Sequence, residues 1–198
     1  MYRFMTWLMR FLTRSFLVGG LFTVNSRENV PPTGALLVCA NHAGSLDPPM
    51  VPGFTPRLDA WTLAKSEYFR TWAAPIFRWY NAFPVVRHSA DRAALKRSFD
   101  LLRDGHALII FPEGTRGNGV QLGPFRSGLY RLGKARPDVE LVPVYIDNLN
   151  RVLPKGEFVP VPMLASVSFG ASMRVEDGEE KDAFLERARN AILELRRW

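Results

Sequence analysis

Short apolar runs alternate with helix-forming stretches over most of this chain, and that alternation narrows the possible folds more than any other feature. Leu36–Ala40, Leu58–Ala64, His106–Phe111, Leu141–Ile146 and Ala165–Phe169 are five to seven residues each, the length of buried strands. Phe83–Arg87 is a further short run whose Pro84 suits only an edge strand or a strand end. Between these runs, Ser66 is predicted to cap a helix that continues through Tyr80. Asp91–Arg103 is predicted as a helix with apolar Ala94, Leu95, Phe99, Leu101 and Leu102, stopped by Gly105. Arg126–Lys134 reads as a weaker helix, and a final helix from about Glu179 carries Phe184, Ala188, Ile192 and Leu195 on one stripe. This order predicts an α/β fold with a mixed, largely parallel sheet flanked by helices. A chain of 198 residues can bury a sizeable core as one domain, and Pro154–Pro162 reads as a connecting loop within it.

The N-terminus follows a different rule. Met1–Phe22 is rich in Phe, Leu, Met and Trp, and on a helical wheel Arg3, Thr6, Arg10, Thr13 and Arg14 fall within an arc of about 100°. No window there is long and charge-free enough to span a bilayer. A secretory signal would hold its charges ahead of the apolar segment, whereas these run through it. A wide apolar face with a narrow arginine stripe predicts an amphipathic membrane-interface helix, with a helix docked on the protein's own core as the alternative. The expected organisation is therefore an N-terminal interfacial helical segment over residues 1–25 and a single domain over residues 26–198.

A formal net charge of +7 favours anionic partners such as phosphate esters or an anionic membrane surface. Nucleic acid is a weak candidate, because the aromatic residues are not interleaved with lysines along a strand face. Three scattered histidines and a single cysteine argue against a zinc site, and Cys39, inside an apolar run, reads as a buried inert thiol.

Two stretches hold residues able to do chemistry. In Asn41–Pro49, His42 and Asp47 are five positions apart, which on one continuous helix would set them about 140° apart. Gly44 and the pair Pro48–Pro49 allow the segment to bend and a new helix to start, with Asp47 as its N-cap facing back toward His42. A carboxylate on one imidazole nitrogen fixes the tautomer and leaves the other nitrogen to take a proton. The same spacing also fits Asp47 as a cap alone and His42 as an ordinary loop residue. No serine or cysteine stands in an activated-nucleophile context, so a proton taken by His42 would come from a substrate hydroxyl. In the second stretch, Glu113, Gly114 and Arg116 follow an apolar strand, where α/β folds present ligands; Arg116 can fork onto a phosphate or carboxylate, and Arg87 could join it. A surface turn closed by a Glu–Arg ion pair fits that pattern as well.

These stretches resemble the glycerolipid acyltransferases, specifically the 1-acylglycerol-3-phosphate acyltransferase group. Asn41-His42 with Asp47 is similar to that family's H-x4-D motif, and Phe111–Arg116 to its F-P-E-G-T-R block. Phe83–Arg87 resembles the intervening block that ends in a phosphate-binding arginine, although Asn81 replaces a common glycine and Val86 a common polar residue. Phe125–Gly128 resembles an F-K-x-G element with arginine for lysine, and Val142–Val144 a V-P-[VI] strand. The resemblance implies direct transfer of a fatty acyl group from acyl-CoA or acyl carrier protein to the free hydroxyl of a lysophospholipid. The first acceptor in order is 1-acylglycerol 3-phosphate; glycerol 3-phosphate and a lyso-ornithine lipid are alternatives. It implies His42 as general base and Asp47 as its partner, with Asn41, Arg87, Glu113, Gly114, Thr115 and Arg116 binding substrate. It also implies no cofactor and no metal, and a peripheral or monotopic place on the cytoplasmic face of the membrane. A lipid hydrolase using the same pair to activate water, and a non-catalytic lipid-binding module, are the rival readings.

Overall fold

In a computed structural model of the protein, residues 22–44, 46–86, 91–117, 119, 121–152, 161 and 163–196 are described, together with Phe4, Trp7, Leu8 and Phe11. The strands are β1 (Phe22–Asn25), β2 (Leu36–Ala40), β3 (Ala60–Lys65), β4 (Ala82–Val85), β5 (Ala107–Ile110), β6 (Glu140–Asp147) and β7 (Ala165–Phe169). The helices among the described residues are α1 (Asp47–Phe54), α2 (Ala74–Trp79), α3 (Arg92–Arg103), α4 (Gly128–Ala135), α5 (Leu149–Val152) and α6 (Lys181–Leu193). One sheet runs β1-β7-β6-β2-β5-β3-β4. Strands β6, β2, β5, β3 and β4 are mutually parallel, while β7 and β1 are parallel to each other and antiparallel to the rest. The expected mixed, largely parallel α/β architecture is what forms.

β2 shows why. All five of its residues are buried, and their alternation divides the core into two layers. Leu36, Val38 and Ala40 face α1 and α5 together with Met50, Val51, Phe54 and Leu149. Leu37 and Cys39 face the opposite layer, where Leu101, Leu102, Leu129, Leu132, Phe184 and Ile192 arrive from α3, α4 and α6. A strand buried on both faces must be apolar throughout, as parallel strands are. Burial pushes the Cys39 thiol well above its ordinary range, with the charge of Glu113 adding to the effect, so this cysteine is inert as expected.

Three local expectations are corrected. The segment Ser66–Tyr80 is not one helix: a 3₁₀ turn over Ser66–Arg70 is followed by a separate α2. Pro75 is the cause, because inside a continuous helix it would lose a hydrogen bond and clash with the carbonyl four residues back, whereas in the first turn of α2 it costs nothing. Second, the N-terminal segment gives way to strand at Phe22 and does not stay helical through residue 25. Phe22 stacks on Phe54 of α1, ring centroids 4.1 Å apart, which ties the strand to the core. Apart from Phe4, Trp7, Leu8 and Phe11, the rest of that segment lies outside the described residues. Third, the N-cap of α1 is Leu46, and Asp47 is the first residue of the helix. The edge position expected from Pro84 is observed, since β4 ends the sheet.

Candidate active site

The β2–α1 loop begins where the sheet ladder is deliberately ended. β2 and β6 pair up to Ala40 opposite Val144. Beyond that point the side chain of Asn41 takes over the role of backbone. Its Oδ1 accepts from Ile146 N at 2.7 Å and its Nδ2 donates to Ile146 O at 3.0 Å. The main chain is thereby released to turn away, carrying His42 out of the sheet plane.

Asp47 then folds back over that loop. Pro48 and Pro49 occupy the first turn of α1 and carry no N–H, so the donors that a capping carboxylate would satisfy are missing. Asp47 Oδ2 instead accepts from Ala43 N at 2.6 Å and Gly44 N at 2.7 Å, and lies 2.9 Å from His42 Nδ1. With Asp47 as a carboxylate, Nδ1 is the nitrogen that donates to it, the tautomer in which Nε2 keeps its free lone pair. Asp47 is completely buried, and its other oxygen, Oδ1, has no hydrogen-bond partner among the described residues. The carboxylate charge is thus directed at the imidazole with no fixed cation bonded to it.

The second stretch holds the first in place. Glu113 Oε1 accepts from His42 N at 2.8 Å and its Oε2 from Gly123 N at 2.9 Å, so both oxygens serve backbone donors. Gly117 N donates to His42 O at 2.7 Å, which clamps the histidine main chain from both sides. The Phe111 ring packs 4.6 Å from the imidazole centroid. Gly114 has to be glycine here, and Gly117 leaves room for the Glu113 carboxylate. Gly114 has φ +70°, and a Cβ would come within 2.5 Å of Arg126 Nε; at Gly117 a Cβ would press on Glu113 Oε2 at 3.1 Å. Arg126 closes the loop, its N–H donating to Pro112 O at 2.9 Å and its Nε to Glu113 O at 3.3 Å.

Of the residues read from sequence, the fold therefore brings together His42, Asp47, Asn41, Glu113 and Gly114. Thr115 and Arg116 are exposed on the rim of the same loop, and Arg87 lies outside the described residues. A cleft opens beside His42 and Glu113, and its far wall is Leu122, Tyr145, Leu193 and Arg196. Burial pushes the Tyr145 phenol above its usual range; the Arg196 charge opposes this and Asp147 reinforces it. Sequence reading misses Tyr145 and Arg196. They reach the cleft only because β6 lies next to β2 and the end of α6 returns to β6, and neither carries a motif that would have marked it. Among the described residues there is no cluster of His, Cys, Asp or Glu able to hold a metal ion, and no helix long and apolar enough to cross a membrane.

The model of the acyltransferase family matches residues 21–147, a stretch containing both motifs and six of the seven strands. A probable 1-acyl-sn-glycerol-3-phosphate acyltransferase of Mycoplasma pneumoniae is 33% identical over 123 residues, covering 59% of this chain and 46% of that protein. A 1-acyl-sn-glycerol-3-phosphate acyltransferase of Bacillus subtilis is 31% identical over 102 residues, covering 50% of each. The chain thus spans about half the length of these two relatives. The crystal structure of the 1-acyl-sn-glycerophosphate acyltransferase PlsC of Thermotoga maritima superposes with a TM-score of 0.81, over 98% of this chain and 79% of that one. At 18% identity, that likeness is one of fold.

Proposed function

The chain belongs to the acyltransferase family, and from that premise we propose that it acylates the free hydroxyl of 1-acylglycerol 3-phosphate, giving phosphatidic acid, with acyl-CoA or acyl carrier protein as donor. The observation that supports this reading best is the buried His42–Asp47 pair, held at 2.9 Å beside the narrow cleft that His42 helps to line. His42 Nε2 takes the proton of the acceptor hydroxyl as its oxygen attacks the thioester carbonyl. The tetrahedral intermediate collapses by breaking the carbon–sulfur bond, and the departing thiolate takes the proton back from the imidazolium. Asp47 stabilises the imidazolium and holds the ring in the productive tautomer. No enzyme nucleophile is needed, so the acyl group passes directly between substrates.

The remaining parts fit this chemistry. Glu113, with both oxygens on backbone N–H groups, keeps the His42 loop rigid, and Gly114 permits the close turn. Arg116 on the rim binds the acceptor phosphate, with Thr115 beside it, and Arg87 is given the same task from its sequence motif; guanidinium suits that task because it forks onto phosphate oxygens. Both substrates carry long acyl chains, so the enzyme works at the membrane–water interface, anchored by its N-terminal segment.

The test is incubation of purified protein with labelled palmitoyl-CoA, with and without 1-acylglycerol 3-phosphate, following thiol and lipid product together. Acceptor-dependent diacyl product, absent with His42→Ala, is the expected result. Thiol release without acceptor would mean a hydrolase. Arg116→Ala should raise the acceptor KM about tenfold with little change in kcat, and an unchanged KM would remove Arg116 from the phosphate site.

A further inference from the structure

The connection between β3 and β4 exposes more apolar surface than its packing requires. Trp72 is 87% exposed, the most exposed of the large apolar residues among those described, and Tyr68 and Ile76 are exposed beside it. Single exposed apolar residues are ordinary, but three within nine positions form a patch. The patch is rigid. The Tyr68 ring stacks on Phe77 of α2 at 4.9 Å with 3° between planes, and Phe69 meets the same ring at 5.8 Å. Arg70 is exposed between Tyr68 and Trp72 in the chain. Glu67, the sole acidic residue from Lys65 to Tyr80, is neutralised by Lys65 at 3.0 Å. Exposed aromatic rings beside an arginine match a membrane surface, where amphipathic rings sit at headgroup depth and guanidinium groups meet phosphate.

Topology places the patch where a bilayer would have to be. The turn leaves β3 at Lys65, and because β3 is parallel to β5 and β5 to β2, Ser66–Arg70 lies at the end of the sheet from which His42 emerges; α2 then runs back toward Asn81, whose side chain donates to Leu58 O and Ala60 O at the other end. β1 runs antiparallel to β2, so its first residue, Phe22, lies at this same end, on the opposite edge. With strands about 4.8 Å apart, β1 and β3 are separated by roughly 25 Å, with the His42 loop between them.

We propose that the Tyr68–Trp72 segment docks on an anionic lipid bilayer as a second footing, opposite the N-terminal one, so that the cleft beside His42 faces the membrane. One footing leaves the domain free to swing about the anchor; two fix which face of the sheet's catalytic end meets lipid. The reason for a bilayer on that side is the acyl-transfer reading, on which this inference rests.

The experiment is partitioning of the full chain onto sucrose-loaded vesicles of phosphatidylcholine with about 30% phosphatidylglycerol. Trp72→Ser removes an exposed ring and no core contact; circular dichroism checks that the fold is kept. Its partition coefficient should fall about tenfold. Arg70→Glu should cost several-fold, whereas Arg103→Glu, the same charge change on an exposed residue at the opposite end of the sheet, should cost less than twofold. Wild-type partitioning by Trp72→Ser, or an equal loss for Arg70→Glu and Arg103→Glu, would overturn the docking. In parallel, transfer is measured with water-soluble hexanoyl-CoA and 1-hexanoylglycerol 3-phosphate, where Trp72→Ser should match wild type. A slower Trp72→Ser here would assign Trp72 to the reaction and overturn a purely docking role. Absence of transfer by the wild-type protein would overturn the acyl-transfer reading alone, since partitioning decides the docking.

Discussion

The two ends of the sheet each hold a histidine beside an aspartate, and the two carboxylates differ in what they are bonded to. At the end where β2, β3 and β5 begin, His106 Nδ1 lies 3.5 Å from Asp59 Oδ2. That carboxylate also receives Arg57, whose Nε donates to Asp59 Oδ1 at 2.9 Å and whose Nη2 bonds Asp59 Oδ2 and, at 2.8 Å, Gly105 O. At the other end, His42 and Asp47 meet at 2.9 Å with only neutral backbone donors as further partners of the bonded oxygen. The difference is who neutralises the carboxylate. Asp59 is bonded to a fixed guanidinium. Among the described residues, Asp47 is bonded to backbone N–H groups and the His42 imidazole and to no guanidinium or ammonium. The first arrangement is a brace; the second is the one that the proposed function uses as a base.

The comparison is broken most directly at the catalytic end. His42→Ala should lower kcat by about 10²–10⁴-fold; because the ring is buried and its loss leaves the Asp47 carboxylate without its side-chain partner, some stability should go too, and the rate is read per folded molecule. Retention of more than a tenth of the rate would remove the general-base role. Asp47→Asn should cost about 10²–10³-fold, since an amide can still accept the Ala43 and Gly44 N–H groups but cannot stabilise an imidazolium. Its pH–rate profile should lose or shift its lower limb, a change that a merely structural role for Asp47 would not produce.

Arg57→Ala tests the other end. Arg57 is buried, and its removal strands Asp59 and leaves the carbonyls of Gly34 and Gly105 without a donor. A loss of about 3 kcal/mol is expected, which for a chain of this size lowers the melting temperature by roughly 6–12 °C. The specific rate of the folded fraction should not change. A loss of rate at unchanged stability would show that the two ends are coupled.

How much of this was legible in sequence depends on the reach of each interaction. β2, β5, β6 and β7 fall within a residue or two of their apolar runs, because burial on both faces writes itself as a continuous apolar stretch. The approach of Asp47 to His42 was legible because glycine and proline dictate the bend locally. β1 was not, since Phe22–Asn25 continues an apolar segment whose periodicity does not show where helix gives way to strand. Glu113 was read as substrate-facing or paired with Arg116; its actual bonds reach His42 and Gly123, 71 and 10 residues away, and no spacing rule reports those. Arg57 offered no signal, because its value lies in carbonyls contributed by two distant turns.

The smallest expected effects complete the comparison. Burial alone would push the Asp59 carboxyl up, but hydrogen bonding to Arg57 and its charge outweigh this and hold it below the usual range. A carboxyl with a depressed folded value adds stability that is fully present above its unfolded value, near pH 4, and is lost as the pH falls further. Asp59→Asn should therefore flatten the decline of melting temperature below about pH 4. The change should be modest, because the Asp59 side chain is 37% exposed and solvent screens it. His106→Ala should be smaller still: half-exposed and 3.5 Å from a carboxylate already paired with Arg57, it should shift stability by about 0.5 kcal/mol or less and leave kcat within twofold. Two histidine-to-alanine changes in one sheet would then differ by at least about two orders of magnitude in rate. Equal effects would mean that the fixed cation at Asp59 is not what separates brace from base.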